Sequence, residues 1–145
     1  MSTSSVVRVL MADDFEPFRR FLCSTLQKGP EFEVICEVSD GLEAVRNAEE
    51  LQPDLILLDI GLPRLNGIEA ARRIRQLSRQ SKILFVSQES ATDVVRAALD
   101  TGANGYVVKA DAGGELLTAA DAVLQGERFV GRRFASEDLS RASDV

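Results

Sequence analysis

A three-layer α/β fold, with a doubly wound parallel sheet between two helical layers, is predicted by three features of this sequence. Five short apolar runs alternate with five amphipathic stretches. The runs are apolar at consecutive positions, as strands covered on both faces are. The length of 145 residues, 45% of them hydrophobic, suits one domain with a substantial core. Alternation of this kind implies βαβ units, right-handed crossovers and parallel strands with helices on both sides.

The elements follow in order. Val6–Met11, β-branched and apolar, is read as the first strand, closed by Asp13-Asp14. From Phe15 to Gln27, Phe18, Phe21, Leu22, Thr25 and Leu26 recur at helical spacing, with Pro17 in the first turn and Gly29-Pro30 beyond the end. Phe32–Val38 is a second strand, and Glu31, Glu33 and Glu37 mark it as an exposed edge. Asp40-Gly41-Leu42-Glu43 has the form of a capping box and predicts a helix to about Leu51. Leu55–Asp59 is the third strand, set between Pro53-Asp54 and Gly61. Asn66-Gly67-Ile68-Glu69 predicts another capped helix, with Ile68, Ala71, Ile74 and Leu77 on one face and arginines on the other.

Lys82–Ser87 is the fourth strand. Ser90-Ala91-Thr92-Asp93 is expected to cap a helix bearing Val94, Val95, Ala98 and Leu99, which Gly102 ends. Gly105–Lys109 is the fifth strand. Glu115–Leu124 is the last helix, with Leu116, Leu117, Ala120, Val123 and Leu124 facing inward and Gly126 closing it. The stretch from Glu127 to Val145 is polar after Phe134 and reads as a linker or frayed end.

Composition excludes several functions. A net charge of −6 argues against a nucleic-acid surface, which relies on clustered Lys and Arg. No apolar run approaches the roughly 20 residues of a membrane span, and Met1–Ser5 lack the positive charge of a signal peptide. Cys23 and Cys36 stand alone, as reduced thiols of a cytosolic protein do. The chain has no histidine, which removes Ser-His-Asp catalysis, His-ligated zinc and a histidine phosphocarrier role. A phosphoryl group would have to arrive from outside.

Open α/β sheets bind ligands beyond the carboxyl ends of their strands. There the chain places Asp13, Asp14, Asp59, Ser87 and Lys109. Singly, each has an ordinary structural use: Asp as a cap, Ser as a local hydrogen bonder, Lys as a solvated charge. Together they pose a charge problem. Three crowded carboxylates repel one another unless cations compensate. Lys109 supplies one positive charge and a hard divalent ion supplies the remainder, for which Mg²⁺ is suited because it takes carboxylates, waters and a phosphate oxygen. A carboxylate so placed can act as a nucleophile and form an acyl phosphate, with a Lys and a hydroxyl positioning the transferred group.

The acidic pair Asp13-Asp14, the run Leu57-Leu58-Asp59-Ile60-Gly61-Leu62-Pro63 with Asn66-Gly67 after it, the hydroxyl of Ser87, and Gly105-Tyr106-Val107-Val108-Lys109 occur in that order. From Val6 to about Gly126 the chain resembles the receiver domain of two-component response regulators. Gly102–Tyr106 and Gly126-Glu127-Arg128-Phe129 most resemble receivers attached to helix-turn-helix regulators of the LuxR type.

The resemblance implies a flavodoxin-like (βα)5 fold with a five-stranded sheet in the order 2-1-3-4-5. It implies Asp59 as phosphoacceptor and Mg²⁺ (or Mn²⁺) bound by Asp14, Asp59 and the Gly61 backbone carbonyl, with Asp13 acting through water. Ser87 and Lys109 would hold phosphoryl oxygens. Tyr106 would be a switch aromatic, turning inward as Ser87 moves and changing the surface around the fourth helix and fifth strand. Residues 1–5 would be a tail, 6–126 the receiver, and 127–145 a linker toward an output domain outside this chain.

The implied partners are a sensor histidine kinase and a second copy bound through the region of the fourth helix, fifth strand and fifth helix. The implied role is cytoplasmic signalling in transcription control, with no catalysis beyond its own phosphorylation and dephosphorylation and no direct contact with nucleic acid or membrane. A stand-alone or phosphorylation-independent docking or dimerisation module is the alternative.

Three positions depart from the family pattern. Ala110 stands where a cis-proline often follows the Lys, so the bond there is expected to be trans or strained. Ala112-Gly113-Gly114 should leave the last helix loosely started. Gly61 has no side chain to shield an acyl phosphate, and it also occupies the place where an Asp-nucleophile phosphatase would carry its second acid.

Overall fold

The computed structural model describes residues 6–29, 31–137 and 139. Six parallel strands run in the order β2-β1-β3-β4-β5-β6. They are β1 (Val7–Ala12), β2 (Phe32–Val38), β3 (Leu55–Leu58), β4 (Lys82–Ser87), β5 (Gly105–Val108) and β6 (Phe129–Val130). Between them lie α1 (Glu16–Leu26), α2 (Gly41–Leu51), α3 (Gly67–Leu77), α4 (Thr92–Asp100) and α5 (Ala112–Leu124). The three-layer α/β architecture and the 2-1-3-4-5 order are therefore present, extended by one strand.

Alternation along the strands divides the core in two. Leu10, Ala12, Ile56, Leu58, Ile83, Phe85, Tyr106 and Val108 face α2, α3 and α4. Val9, Met11, Leu55, Leu57, Leu84, Val86 and Val107 face α1 and α5. The central strands are buried along both faces, whereas β2 is only partly covered, as its glutamates predicted. Capping also follows the sequence where a side-chain acceptor was available. Asp40 Oδ1 accepts from the Glu43 N–H at 2.8 Å, and Asn66 Oδ1 from the Glu69 N–H at 3.0 Å. Gly102, at φ +95°, ends α4 in the left-handed region that favours glycine.

Four expectations are corrected. The segment after Gly126 is not wholly a linker: β6 pairs with β5, and a 3₁₀ turn at Arg132–Phe134 buries Phe134 in the core. The expected extension beyond residue 139, and the tail at residues 1–5, lie outside the described residues, as does Pro30. No side chain caps α4, because Ala91 occupies the N-cap position. A 3₁₀ turn at Lys109–Asp111 leads into α5, which starts at Ala112 and not at Glu115, since burial of Ala112 and Leu116 outweighs the low propensity of Gly113-Gly114. Leu77, expected to face the core, is exposed at the end of α3. The peptide bond before Ala110 is trans, as are all those among the described residues.

Candidate functional site

The carboxyl ends of β1, β3, β4 and β5 converge on one cleft of about 330 Å³, lined by Asp14, Phe15, Asp59, Gly61, Ser87, Gln88, Glu89 and Lys109. Each polar side chain sits there because an apolar strand ends beside it. Ala12 and Leu58 are buried, so Asp13 and Asp59, which follow them, are held at the rim with little exposure of their own. Asp14, one residue further, points into solvent. Carboxylate oxygens of Asp13, Asp14 and Asp59 all lie within 4.8 Å of one another.

Lys109 spans this cluster. Its Nζ lies 2.8 Å from Asp13 Oδ2 and 3.2 Å from Asp59 Oδ2. The ring of Phe18 packs beneath the ammonium, with Nζ 4.5 Å from its centroid. Burial pushes the Asp13 carboxyl above its ordinary pKa, against the opposing pull of Lys109 and the Phe15 N–H. Burial also works to lower the Lys109 ammonium, but Asp13 and Asp59 outweigh it and the net displacement is upward. A site in which one Lys faces three carboxylates carries an excess of negative charge.

Two observations fit a hard divalent cation. The three carboxylates form an all-oxygen donor set of the kind Mg²⁺ takes. Asp13 Oδ2 is buried, and the Lys109 ammonium 2.8 Å away that compensates its charge is shared with Asp59. Gly61, the fourth predicted contributor, is exposed beside the cleft with open space around its Cα.

Gly67 supports Asp59 from behind. Its N–H donates to the Ile60 carbonyl at 2.7 Å, and a Cβ at this position would collide with the Asp59 carbonyl oxygen. The Asn66-Gly67 pair thus caps α3 and permits the loop after β3 to fold against the acceptor.

Ser87 is buried at the end of β4, and its Oγ accepts a long hydrogen bond, 3.4 Å, from the Glu89 N–H. The resemblance implies a switch aromatic at Tyr106. It is fully buried, and its hydroxyl donates to the Glu89 carbonyl at 2.8 Å. Burial drives its phenol pKa upward, opposed by the Ser87 hydroxyl. The Tyr106 ring lies 6.0 Å from that of Phe85 and 6.3 Å, edge-on, from that of Phe134.

Sequence reasoning missed three contributors. Phe15 fixes Asp13 by donating its N–H to Oδ1 at 2.8 Å. Arg19 donates to the Asp13 carbonyl at 2.6 Å and pairs with Glu37. Phe18 packs against the α1–α5 core as its place in the apolar stripe predicts, and it also supports Lys109. The available signal was position alone: all three fall within six residues of Asp13.

Similarities to known proteins agree with this geometry. Residues 9–121 match the family model described as the response regulator receiver domain. The transcriptional regulatory protein LiaR of Bacillus subtilis is 37% identical over 136 residues, covering 94% of this chain and 64% of LiaR. DegU of Brevibacillus brevis is 33% identical, covering 96% of this chain and 64% of DegU. The chain thus spans about two thirds of the length of these relatives. Among solved structures, a LuxR-family two-component response regulator from Aurantimonas sp. superposes with a TM-score of 0.86 at 33% identity, over 92% of this chain and 95% of that one. Among the described residues, no helix is long and apolar enough to cross a membrane.

Proposed function

This chain belongs to the response regulator receiver domain family, and from that premise we propose that Asp59 accepts a phosphoryl group from a sensor histidine kinase. The observation that carries the reading is the convergence of three carboxylates, one ammonium and one buried hydroxyl on a single cleft.

In the transfer, a carboxylate oxygen of Asp59 forms the new P–O bond while the P–N bond to the kinase imidazole breaks, the electron pair leaving with that nitrogen. Lys109, already 3.2 Å from Asp59, neutralises one phosphoryl oxygen. The Ser87 hydroxyl turns from Glu89 to donate to another. Asp13, Asp14, Asp59 and the Gly61 carbonyl would hold Mg²⁺ (or Mn²⁺), which when bound supplies charge neutralisation for the incoming phosphoryl oxygens. Phe15 and Arg19 keep Asp13 in place throughout.

In its cell the domain works in the cytoplasm as a switch in transcription control, as the LuxR-family relatives suggest. A homodimer around α4, β5 and α5 would have to accommodate β6, which covers the outer edge of β5.

Incubation with acetyl phosphate and Mg²⁺ should add one phosphate to the intact mass, and Asp59→Asn should abolish the addition. An adduct that persists in Asp59→Asn sinks the assignment, as does its absence from the native chain.

A further inference from the structure

Lys109 has the hardest positional task in the cleft. Its ammonium ends a flexible four-carbon stem, yet it must meet a phosphoryl oxygen at one place beside Asp59. Its ionic partners, Asp13 at 2.8 Å and Asp59 at 3.2 Å, do not fix that place during the reaction. Both are carboxylates that a divalent cation would share, and Asp59 gives up its negative charge when its oxygen joins phosphorus.

The Phe18 ring faces no such competition. It lies under the ammonium, 4.5 Å from Nζ to the centroid, and offers the negative face of its π system without carrying a charge. The ring is itself held. Phe18 packs against the α1–α5 core, and Phe21, one turn along α1, stacks on it with centroids 5.5 Å apart and planes inclined by 30°. The tip of the Phe21 ring reaches the start of α5, 3.6 Å from where a Cβ on Gly113 would stand. Arg19, donating to the Asp13 carbonyl at 2.6 Å, ties the same turn of α1 to the site. Filling this part of the core does not call for an aromatic. A leucine would bury apolar surface there but present no π face to a cation.

We propose that Phe18 is a positioning residue for phosphoryl transfer, its ring holding the Lys109 ammonium beside Asp59 both before and after the group arrives. The inference rests on Asp59 as the acceptor. No bond to the ring forms or breaks. Its contribution is to keep Nζ where a phosphoryl oxygen will lie while the carboxylates change partners.

Carbon–proton NMR of the native chain should show the Lys109 ε-methylene shifted upfield by the ring, and the shift should persist with Mg²⁺ and beryllofluoride, a phosphoryl mimic. Phe18→Leu should abolish the shift and slow phosphorylation by phosphoramidate, followed by intact mass, about fivefold, as expected of a cation–π contact at a partly exposed site. Phe18→Tyr, which keeps the ring, should restore both. A merely structural role predicts rates that follow stability in urea and not the presence of a ring. Loss of the native shift on beryllofluoride binding overturns the proposal. So does a native rate in Phe18→Leu, or a rate in Phe18→Tyr as slow as that of Phe18→Leu. If the variants do not fold, the ε-methylene shift of the native chain in its two states decides alone. No adduct on the native chain removes the Asp59 reading and this inference with it, whereas an adduct formed at the native rate in Phe18→Leu removes only the inference.

Discussion

The two faces of the sheet are packed by different means. On the α1–α5 face, aliphatic side chains from the strands meet Leu22, Leu26, Leu116, Ala120 and Val123, with Thr25 buried beside them on α1. On the α2–α4 face, alanines 44, 48, 71 and 98 bring helices close, and the space nearer β5 is filled by Phe85, Tyr106 and Phe134. Ser87 lies on this second side by strand alternation, two residues after Phe85. One face is thus a mainly aliphatic platform, while the other carries the hydroxyls of Ser87 and Tyr106, both bonded to the backbone of Glu89. The difference implies that a change at Asp59 spreads toward α4 and leaves α1 and α5 as a reference frame.

The largest effect expected from breaking that division comes from the platform. Leu116→Ala removes a fully buried side chain and should cost roughly 2–5 kcal/mol in urea unfolding. It should do so without changing amide hydrogen exchange at Gly131 relative to the rest of the fold. Selective loosening of Gly131 would show that the two faces are not independent.

A smaller loss, about 1–3 kcal/mol, is expected from Gly67→Ala, because its methyl group meets the Asp59 carbonyl. Here the cost should be accompanied by slower phosphorylation with acetyl phosphate. Normal phosphorylation in a destabilised variant would mean that the α3 cap is structural and does not position the acceptor.

The convergence of Asp13, Asp59, Ser87 and Lys109 was legible in the sequence because each ends or directly follows a strand. Asp13, Asp59, Ser87 and Lys109 each close an unbroken apolar run, and parallel strands bring such ends to one edge whatever the intervening helices do. Residues whose roles depend on a partner elsewhere were not legible. Phe129–Val130 is too short to show a strand period, and it becomes a strand only because Asn104 and Tyr106 offer carbonyls beside it. Phe134 stands in a polar stretch, where a single aromatic carries no pattern. Phe18 fits the apolar stripe of α1 equally well whether it meets aliphatic neighbours or the Lys109 ammonium. The early start of α5 was hidden for the same reason, since Gly113-Gly114 is a weak helix former locally and is overruled by the core beneath it.

Ala91 allows a gain. Its backbone, at φ −67° and ψ 133°, already has the extended form of an N-cap. Ala91→Ser should therefore stabilise α4 by about 1 kcal/mol. If α4 moves with the switch, this added anchor should weaken beryllofluoride binding. An unchanged affinity would place α4 with the platform.

Tyr106→Phe should have the smallest effect on stability at neutral pH, about 0.5 kcal/mol or a little more, because the Glu89 carbonyl that loses its donor lies on an exposed residue and regains water. Its pH dependence is more informative. Burial raises the phenol pKa of the folded protein above its ordinary value of 10.0. Below pH 10 the phenol is protonated in both folded and unfolded chains and contributes no pH dependence. Above that value the unfolded chain releases the proton first, so it binds fewer protons than the folded one and stability falls as pH rises. Tyr106→Phe removes that loss, and its unfolding curve should decline less steeply than that of the native protein beyond pH 10. Since Lys109 is present in both proteins, its own deprotonation cancels in the difference. Parallel decline in the two would mean that the phenol already reaches solvent, and that the α2–α4 face is looser around Tyr106 than its contacts with Phe85 and Phe134 imply.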